Sequence, residues 1–245
     1  MTPPQSRHDL GRTRPWMREG TALFLNAVEQ LDDEQLRAPS GLPTWSRDQL
    51  VAHVARNAEA LSRLASWART GVETPMYSSF EQRDADIAAA RQSPASLLRS
   101  ELVATAIELE RDLDGLSASS WSARVRSAMG REIPATELPW MRVREVWMHA
   151  VDLASGVSVE DLPDALLDTL ADDVSTMLST REGCPALRLE PRDREVAWVL
   201  GPSAQDAAIV RGTAGQLVAW MTGRDSGQDL SVDDGDGLPV LPRWL

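Results

Sequence analysis

The stretch Thr136-Glu-Leu-Pro-Trp-Met-Arg-Val-Arg-Glu-Val-Trp-Met-His-Ala-Val-Asp152 carries both a helical pattern and a pair of ionisable residues. Its apolar residues recur at the spacing of one face of an α-helix: Trp140, Val143, Trp147 and Val151. The pattern predicts a helix that begins at Thr136 and closes before Gly156. Glu145 and His149 are four positions apart, so on such a helix they project from the same face.

Three more long amphipathic helices are predicted upstream of this stretch. One runs from Trp16 to Leu31, and a second opens with a capping box of Ser46 and Gln49 and stops near Gly71. A third is predicted from Ser93 as N-cap and Pro94 as first helical residue to Gly115. Between them, a short polar helix is predicted after about residue 80, and a short hairpin or an irregular segment within 121–134. Four long helices joined in this way suggest an up-and-down bundle.

The helical spacing of apolar residues gives way to a mixture of helical and alternating patterns after about residue 157. A helix is predicted over 163–180, a hairpin over 186–190 and 195–200, a third strand over 207–211, and a final helix that Thr213 caps and Gly223 ends. The fold class is therefore α+β with two domains. A four-helix bundle occupies residues 1–156, and a small α+β domain occupies residues 157–245.

Composition excludes several classes of partner and chemistry. The chain of 245 residues has 37 acidic and 25 basic residues and a net charge of −12, which argues against nucleic acid or an anionic membrane as partner. No apolar run is long enough to span a membrane, and the first residues lack the apolar stretch of a signal peptide. We therefore expect a cytoplasmic protein.

The residue types that are rare or missing narrow the chemistry further. The chain contains no lysine, which excludes Schiff-base formation, pyridoxal phosphate anchoring and a P-loop lysine. A single cysteine, Cys184, excludes an intrachain disulfide and a cysteine-rich metal cluster. There are three histidines, and His8 lies in a polar N-terminal segment. Candidates for metal or acid–base chemistry are therefore His53 and His149.

His53 lies on the apolar side of the second long helix, and in a bundle it can meet residues of another helix. Two imidazoles and the carboxylate of Glu145 would form a three-ligand metal site with an open coordination position. The same residues are compatible with a buried histidine of the core and a surface pair of Glu145 and His149. Three tryptophans are candidates for the wall of such a site: Trp45, Trp140 and Trp147.

Arg224 follows Gly223 just past the end of the last predicted helix. Its charge is compatible with a role in offsetting the helix dipole, which the spacing by itself favours. It is also compatible with an anchor for a carboxylate.

Three stretches of the chain resemble the mycothiol-dependent maleylpyruvate isomerase family. They are residues 41–57 (Gly-Leu-Pro-Thr-Trp-Ser-Arg-Asp-Gln-Leu-Val-Ala-His-Val-Ala-Arg-Asn), residues 67–77 (Trp-Ala-Arg-Thr-Gly-Val-Glu-Thr-Pro-Met-Tyr) and residues 140–152 of the helix quoted above. The ending Pro242-Arg-Trp-Leu245 is similar as well. The resemblance implies an N-terminal DinB-like four-helix bundle and a C-terminal α+β domain.

The resemblance also implies a site and a reaction. A divalent metal, usually zinc, is expected on His53, Glu145 and His149, and an arginine that matches Arg224 is expected to take part in activity. The resemblance therefore favours the carboxylate anchor over the dipole role for Arg224. The implied reaction converts maleylpyruvate to fumarylpyruvate in gentisate degradation, with mycothiol as thiol cofactor. A thiolate that adds to the conjugated double bond leaves a single bond that rotates, and its expulsion restores the trans alkene.

Three other functions are compatible with the same residues. A mycothiol S-transferase acting on another electrophile would use the same metal ligands. Two histidines and a carboxylate are also the ligand set of non-haem iron oxygenases, although helical ligands count against that function. The third is a structural function, in which the metal only stabilises the bundle. A monomer is compatible with the sequence, and small molecules are the expected partners.

Overall fold

The computed structural model describes residues 6–202, 207–233 and 237–244. The expectations for the first five residues and for Leu245 lie outside this range. Within it, no helix combines the length and the apolar composition needed to cross a membrane. The chain forms two compact units, of which one comprises Arg7–Val157 and the other is built chiefly from Ser158–Leu245.

The first unit is helical. Its helices are α1 (Leu10–Glu29), α2 (Asp33–Arg37), α3 (Arg47–Thr70), α4 (Phe80–Ala89), α5 (Ala95–Asp114), α6 (Ala118–Trp121) and α7 (Leu138–Asp152). A short antiparallel hairpin precedes α7 and consists of β1 (Arg124–Arg126) and β2 (Glu132–Pro134). The four long helices, the short polar helix and the hairpin are all present, as predicted.

The four long helices form the bundle, but their order differs from a simple up-and-down bundle. Helix α3 packs against α5 and α7, and α1 packs against α7 and α5. The ring order is therefore α1–α7–α3–α5, which puts the consecutive helices α1 and α3 diagonally opposite each other. An up-and-down bundle makes every pair of consecutive helices neighbours. This holds for α3 and α5 but not for α1 and α3 or for α5 and α7, because the long connections that contain α2 and the hairpin can cross the bundle. The consequence for the site is that α3 and α7 lie side by side.

Local chemistry explains where these helices begin. The capping box of Ser46 and Gln49 opens α3 as predicted, and Gly71 ends it with a left-handed φ of 74°. Helix α5 begins one residue later than predicted, because Pro94 is its N-cap.

Two other helix starts also differ from the predictions. Helix α1 begins at Leu10, earlier than its apolar pattern indicated, because the side chain of Asp9 caps it by accepting from the Gly11 backbone N–H. Helix α7 begins at Leu138 instead of Thr136, after a 3₁₀ turn over Ala135–Glu137.

The second unit has the predicted α+β composition. Its elements are α8 (Asp164–Ser179), β3 (Leu187–Pro191), β4 (Trp198–Leu200), β5 (Ala208–Gly212), α9 (Ala214–Met221) and β6 (Ser231–Val232). The strands form one sheet in the order β4-β3-β5-β6, in which β3 and β5 are parallel and the other pairs are antiparallel. Helices α8 and α9 pack against each other, and each also packs against the sheet. Thr213 caps α9 with a capping box, as predicted.

Gly20 allows α1 and α7 to approach each other closely. A Cβ atom on Gly20 would lie 2.4 Å from Nε1 of Trp147 and 2.7 Å from Cγ2 of Val146. The indole of Trp147 is buried, and its Nε1–H donates to the Trp16 carbonyl at 2.8 Å. A side chain at position 20 would therefore displace both the indole and its hydrogen bond.

We expect Gly20→Ala to lower the free energy of unfolding by about 1–3 kcal/mol, as overpacking of a core does. Helix propensity alone predicts that alanine would raise the free energy of unfolding by up to about 1 kcal/mol. The sign of the measured change therefore distinguishes overpacking from helix propensity. Urea unfolding of both proteins gives the difference. The control is Gly115→Ala, since a Cβ there meets its nearest atom at an ordinary 3.5 Å. A Gly20→Ala protein as stable as the parent would contradict the close approach.

Candidate metal centre

The contact between α3 and α7 brings three ionisable side chains together. His53 projects from α3, and Glu145 and His149 project from successive turns of α7. Oε2 of Glu145 lies 2.9 Å from Nε2 of His53 and 3.2 Å from Nε2 of His149. One potential ligand atom from each residue lies within 4.8 Å of the others. Two imidazole nitrogens and a carboxylate oxygen in this arrangement can hold a divalent cation and leave a coordination position open.

The electrostatics of the three groups differ although all are largely buried. Burial raises the pKa of Glu145, but His53 and His149 more than offset it and hold that pKa well below the ordinary value. Burial dominates at His53 and lowers its pKa in spite of Glu145. At His149 burial acts in the same direction, but hydrogen bonds to Asp152 and Glu145 outweigh it and raise the pKa. The carboxylate is therefore ionised at neutral pH.

Asp152 fixes the orientation of His149. Its Oδ2 accepts from Nδ1 of His149 at 2.8 Å, which leaves Nε2 of the imidazole directed at Glu145. The Asp152 side chain is only 2% exposed. Its backbone carbonyl accepts from the Gly41 N–H at 2.7 Å, and a Cβ at Gly41 would lie 3.2 Å from that oxygen. The Gly41 loop, part of the first stretch that carries the family resemblance, thus secures the end of α7 that bears His149.

His53 has two further neighbours. Nη2 of Arg83, on α4, donates to Nδ1 of His53 at 3.1 Å. A guanidinium has no acceptor, so Nδ1 accepts and the ring hydrogen is on Nε2, where it is donated to Glu145. The indole of Trp45 meets the His53 ring edge-to-face, with ring centroids 5.5 Å apart. Trp45 therefore borders the site, as predicted.

The other two predicted wall residues pack elsewhere. Trp140 is fully buried and meets Trp16 of α1 edge-to-face with ring centroids 6.5 Å apart. Trp147 also faces α1, through its hydrogen bond to the Trp16 carbonyl. Both tryptophans lie on the side of α7 that packs against α1, so their role is in the core of the bundle.

A buried arginine stabilises the α3–α7 contact close to the site. Arg142, one turn before Glu145 on α7, is 1% exposed and donates to the Val54 carbonyl at 2.7 Å and to Oδ1 of Asn57 at 2.9 Å. Burial lowers the pKa of Arg142 to about 10, and the charge of Glu145 acts in the opposite direction. Arg142 therefore remains cationic at neutral pH and contributes an attractive charge near Glu145.

Two cavities share Tyr77, and one of them adjoins the centre through Arg83. One, of about 310 Å³, is lined by Arg63, Pro75, Tyr77, Ser78, Gln82, Arg83 and Asp86. The other, of about 250 Å³, is more apolar, with Trp67, Met76 and Phe80 in its wall. Burial raises the pKa of Tyr77, and the negative charge of Glu145 raises it further. Arg83, which contacts His53, therefore connects the cavity of about 310 Å³ to the candidate ligands.

Arg224 lies in the second unit, directly after the left-handed Gly223 at the end of α9. Its Nη1 donates to the Thr222 carbonyl at 2.8 Å, and its guanidinium lies 5.6 Å from the ring centroid of Trp244. Thr222 is the C-cap of α9, so this hydrogen bond places a positive charge at the negative end of the helix dipole, as the dipole role requires.

Cys184 is half-buried in a turn, and burial raises the pKa of its thiol. It is therefore poorly suited to supply a thiolate.

Sequence reasoning identified the three residues that meet but not those that support them. Asp152 and Arg142 were missed, although each lies three positions from a candidate ligand on one helix, which is a readable signal. Arg83 was also missed, and its position depends on how α4 folds back on α3. Nothing in its local sequence indicates contact with His53.

Comparison with known proteins agrees with the sequence resemblance. Residues 17–154 match the family model described as the mycothiol maleylpyruvate isomerase N-terminal domain. A crystal structure of the mycothiol-dependent maleylpyruvate isomerase is similar with a TM-score of 0.90 and 34% identity, and each chain is covered in full. A mutant of that isomerase with one histidine replaced by alanine is similar to the same extent. No curated protein matches the chain. The chain belongs to the mycothiol-dependent maleylpyruvate isomerase family.

Proposed function

We propose that this protein catalyses the mycothiol-dependent cis–trans isomerisation of maleylpyruvate to fumarylpyruvate. The observation that carries the proposal is the full-length similarity to an isomerase of that name at 34% identity. The convergence of His53, Glu145 and His149 supplies a site where the chemistry can occur. The proposal places the protein in the cytoplasm and in gentisate degradation.

The three candidate ligands fit a divalent cation, and we propose zinc. Both imidazoles direct Nε2 at the same carboxylate oxygen, so their donor atoms already converge. Asp152 accepts from the far nitrogen of His149, as carboxylates commonly do behind zinc-bound histidines. Two histidines and a glutamate are also a known set for catalytic zinc.

Each part of the proposed machinery has a separate task. A bound zinc ion would stabilise negative charge on sulfur or on the substrate oxygens. Mycothiol would supply the nucleophile that adds reversibly to the conjugated double bond and so permits rotation. His53, Glu145 and His149 would hold the cation, and the half-buried indole of Trp45 covers part of the His53 ring.

Arg224 is proposed to bind a carboxylate of the substrate. Maleylpyruvate is a dianion and the protein carries a net charge of −12, so a local cation is needed to hold the substrate. A planar guanidinium is suited to this because it can bind a carboxylate through two parallel hydrogen bonds. In this proposal residues 1–156 form the metal-binding domain and residues 157–245 form the domain that supplies Arg224.

The first prediction concerns the reaction itself. The purified zinc-loaded protein should convert maleylpyruvate to fumarylpyruvate when mycothiol is present, and His53→Ala should abolish the conversion because it removes a proposed ligand. Absorbance and chromatography of the product give the readout, with His8→Ala as a matched control that keeps activity. No conversion by the loaded protein, or a stable mycothiol adduct as the product, would refute the isomerase proposal.

The second prediction concerns the cation. A ligand that binds only the folded protein stabilises it by about 2.7 kcal/mol at a concentration of 100 times Kd. We therefore expect zinc to raise the midpoint of thermal unfolding of the parent and of His8→Ala. Glu145→Gln should show a much smaller increase, because it loses the carboxylate charge at nearly constant volume. Equal increases in the parent and in Glu145→Gln would place the zinc elsewhere.

The third prediction concerns Arg224. Arg224→Ala should raise KM for maleylpyruvate by about tenfold or more, the equivalent of one lost charge-assisted hydrogen bond. Arg224→Lys should recover part of the loss, since it keeps the charge but not the planar fork. The control is Arg243→Ala in the same unit. If Arg224→Ala keeps its fold by circular dichroism and its steady-state kinetics are unchanged, Arg224 does not bind substrate and only stabilises the end of α9.

A further inference from the structure

Arg83 connects the candidate metal centre to the neighbouring cavity. Its Nη2 donates to Nδ1 of His53 at 3.1 Å, and its Nη1 donates to the exposed carboxylate of Asp84 at 2.7 Å. The guanidinium lies 5.7 Å from the ring centroid of Tyr77. The same side chain lines the cavity of about 310 Å³. Arg83 is therefore placed to interact either with a ligand of the cation or with a molecule in the cavity.

The contact between Arg83 and His53 is incompatible with cation binding by Nε2 of His53. A neutral imidazole carries one hydrogen. When Arg83 donates to Nδ1, that hydrogen is on Nε2, which faces Glu145. When Nε2 instead offers its lone pair to a cation, the hydrogen moves to Nδ1 and meets an N–H of Arg83. Two donors then face each other, and the hydrogen bond is lost.

The cavity beside Arg83 has the character of a site for a carboxylate. Arg63 and Arg83 both line it, together with the phenol of Tyr77 and the amide of Gln82. Nη1 of Arg63 donates to the Met76 carbonyl at 2.6 Å, which fixes that side chain at the cavity wall.

Acidic groups near these arginines offset part of their charge. Asp86 also lines the cavity, and its Oδ1 accepts from the neutral amide of Gln82 at 2.8 Å, so its charge remains. Glu59 lies 3.9 Å from Nη2 of Arg63, and it also pairs with Arg56 at 3.0 Å. The two guanidinium groups outnumber the carboxylate of Asp86 among the residues that line the cavity, so the cavity is a local site for an anion in a protein of net charge −12.

We infer that Arg83 exchanges partners: cation binding releases it from His53, and it then binds a carboxylate of the substrate in the cavity that Arg63 also lines. Arg83 is thus a positioning residue for the cation site and a binding residue for a dicarboxylate. The inference rests on the proposed function for the identity of the dicarboxylate. It couples the two binding events, because the group that a carboxylate needs becomes available when the cation is bound.

The test uses Arg83→Met in the full chain, which keeps an unbranched apolar stem over Tyr77 and removes every donor. Zinc affinity is measured by competition with a chromophoric chelator. Succinate, a dicarboxylate without a reactive double bond, is titrated calorimetrically into the zinc-loaded protein. Arg91→Met is the matched control, since Arg91 is an exposed arginine just after α4. Arg83→Lys tests whether charge alone restores succinate binding.

We expect Arg83→Met to bind zinc about three- to tenfold more tightly, because no hydrogen bond has to be broken. The same variant should bind succinate at least about tenfold more weakly, with partial recovery in Arg83→Lys. KM for maleylpyruvate should rise while kcat changes much less.

Unchanged zinc affinity in Arg83→Met would overturn the exchange of partners, and so would unchanged succinate affinity. The zinc and succinate measurements do not require isomerase activity. If the parent protein failed to isomerise maleylpyruvate, they would still decide the role of Arg83.

Discussion

One oxygen atom of Glu145 organises the candidate site. It lies within hydrogen-bond distance of Nε2 of His53 on one helix and of Nε2 of His149 on its own helix. The low pKa of Glu145 depends on these two imidazoles, and the raised pKa of His149 depends in part on Glu145. A shift of α3 against α7 by about 1 Å would break the first contact, so the site requires a rigid junction between these helices.

Several buried contacts supply that rigidity. Arg142 crosses from α7 to the Val54 carbonyl and the Asn57 side chain of α3. A buried charge is costly unless it is hydrogen-bonded, so these two bonds hold α3 and α7 in one register. On its other side, α7 packs closely on α1 because Gly20 has no side chain where the Trp147 indole lies. Helix α7 is thus held between its two neighbours in the ring.

Much of the fold was predictable because its signals are local. The capping box of Ser46 and Gln49 and the left-handed Gly71 define both ends of α3, and each acts through atoms a few residues apart. The ring order of the helices was not predictable in this way. Four helices with one apolar face each can bury those faces in more than one ring order. The long connections are able to span any of these orders, so they do not select among them. The pairing of α3 with α7, on which the site depends, is decided by packing across the bundle.

The sequence by itself determined which residues were available to form a candidate site. With no lysine, one cysteine and three histidines, few groups could form a site, and the spacing of Glu145 and His149 on one helix selected two of them. Only the tertiary structure decided that His53 meets them and that Arg83 reaches His53. The physical reason is range: helical periodicity fixes the relation of residues within one helix, whereas contacts between helices depend on the packing of the whole bundle.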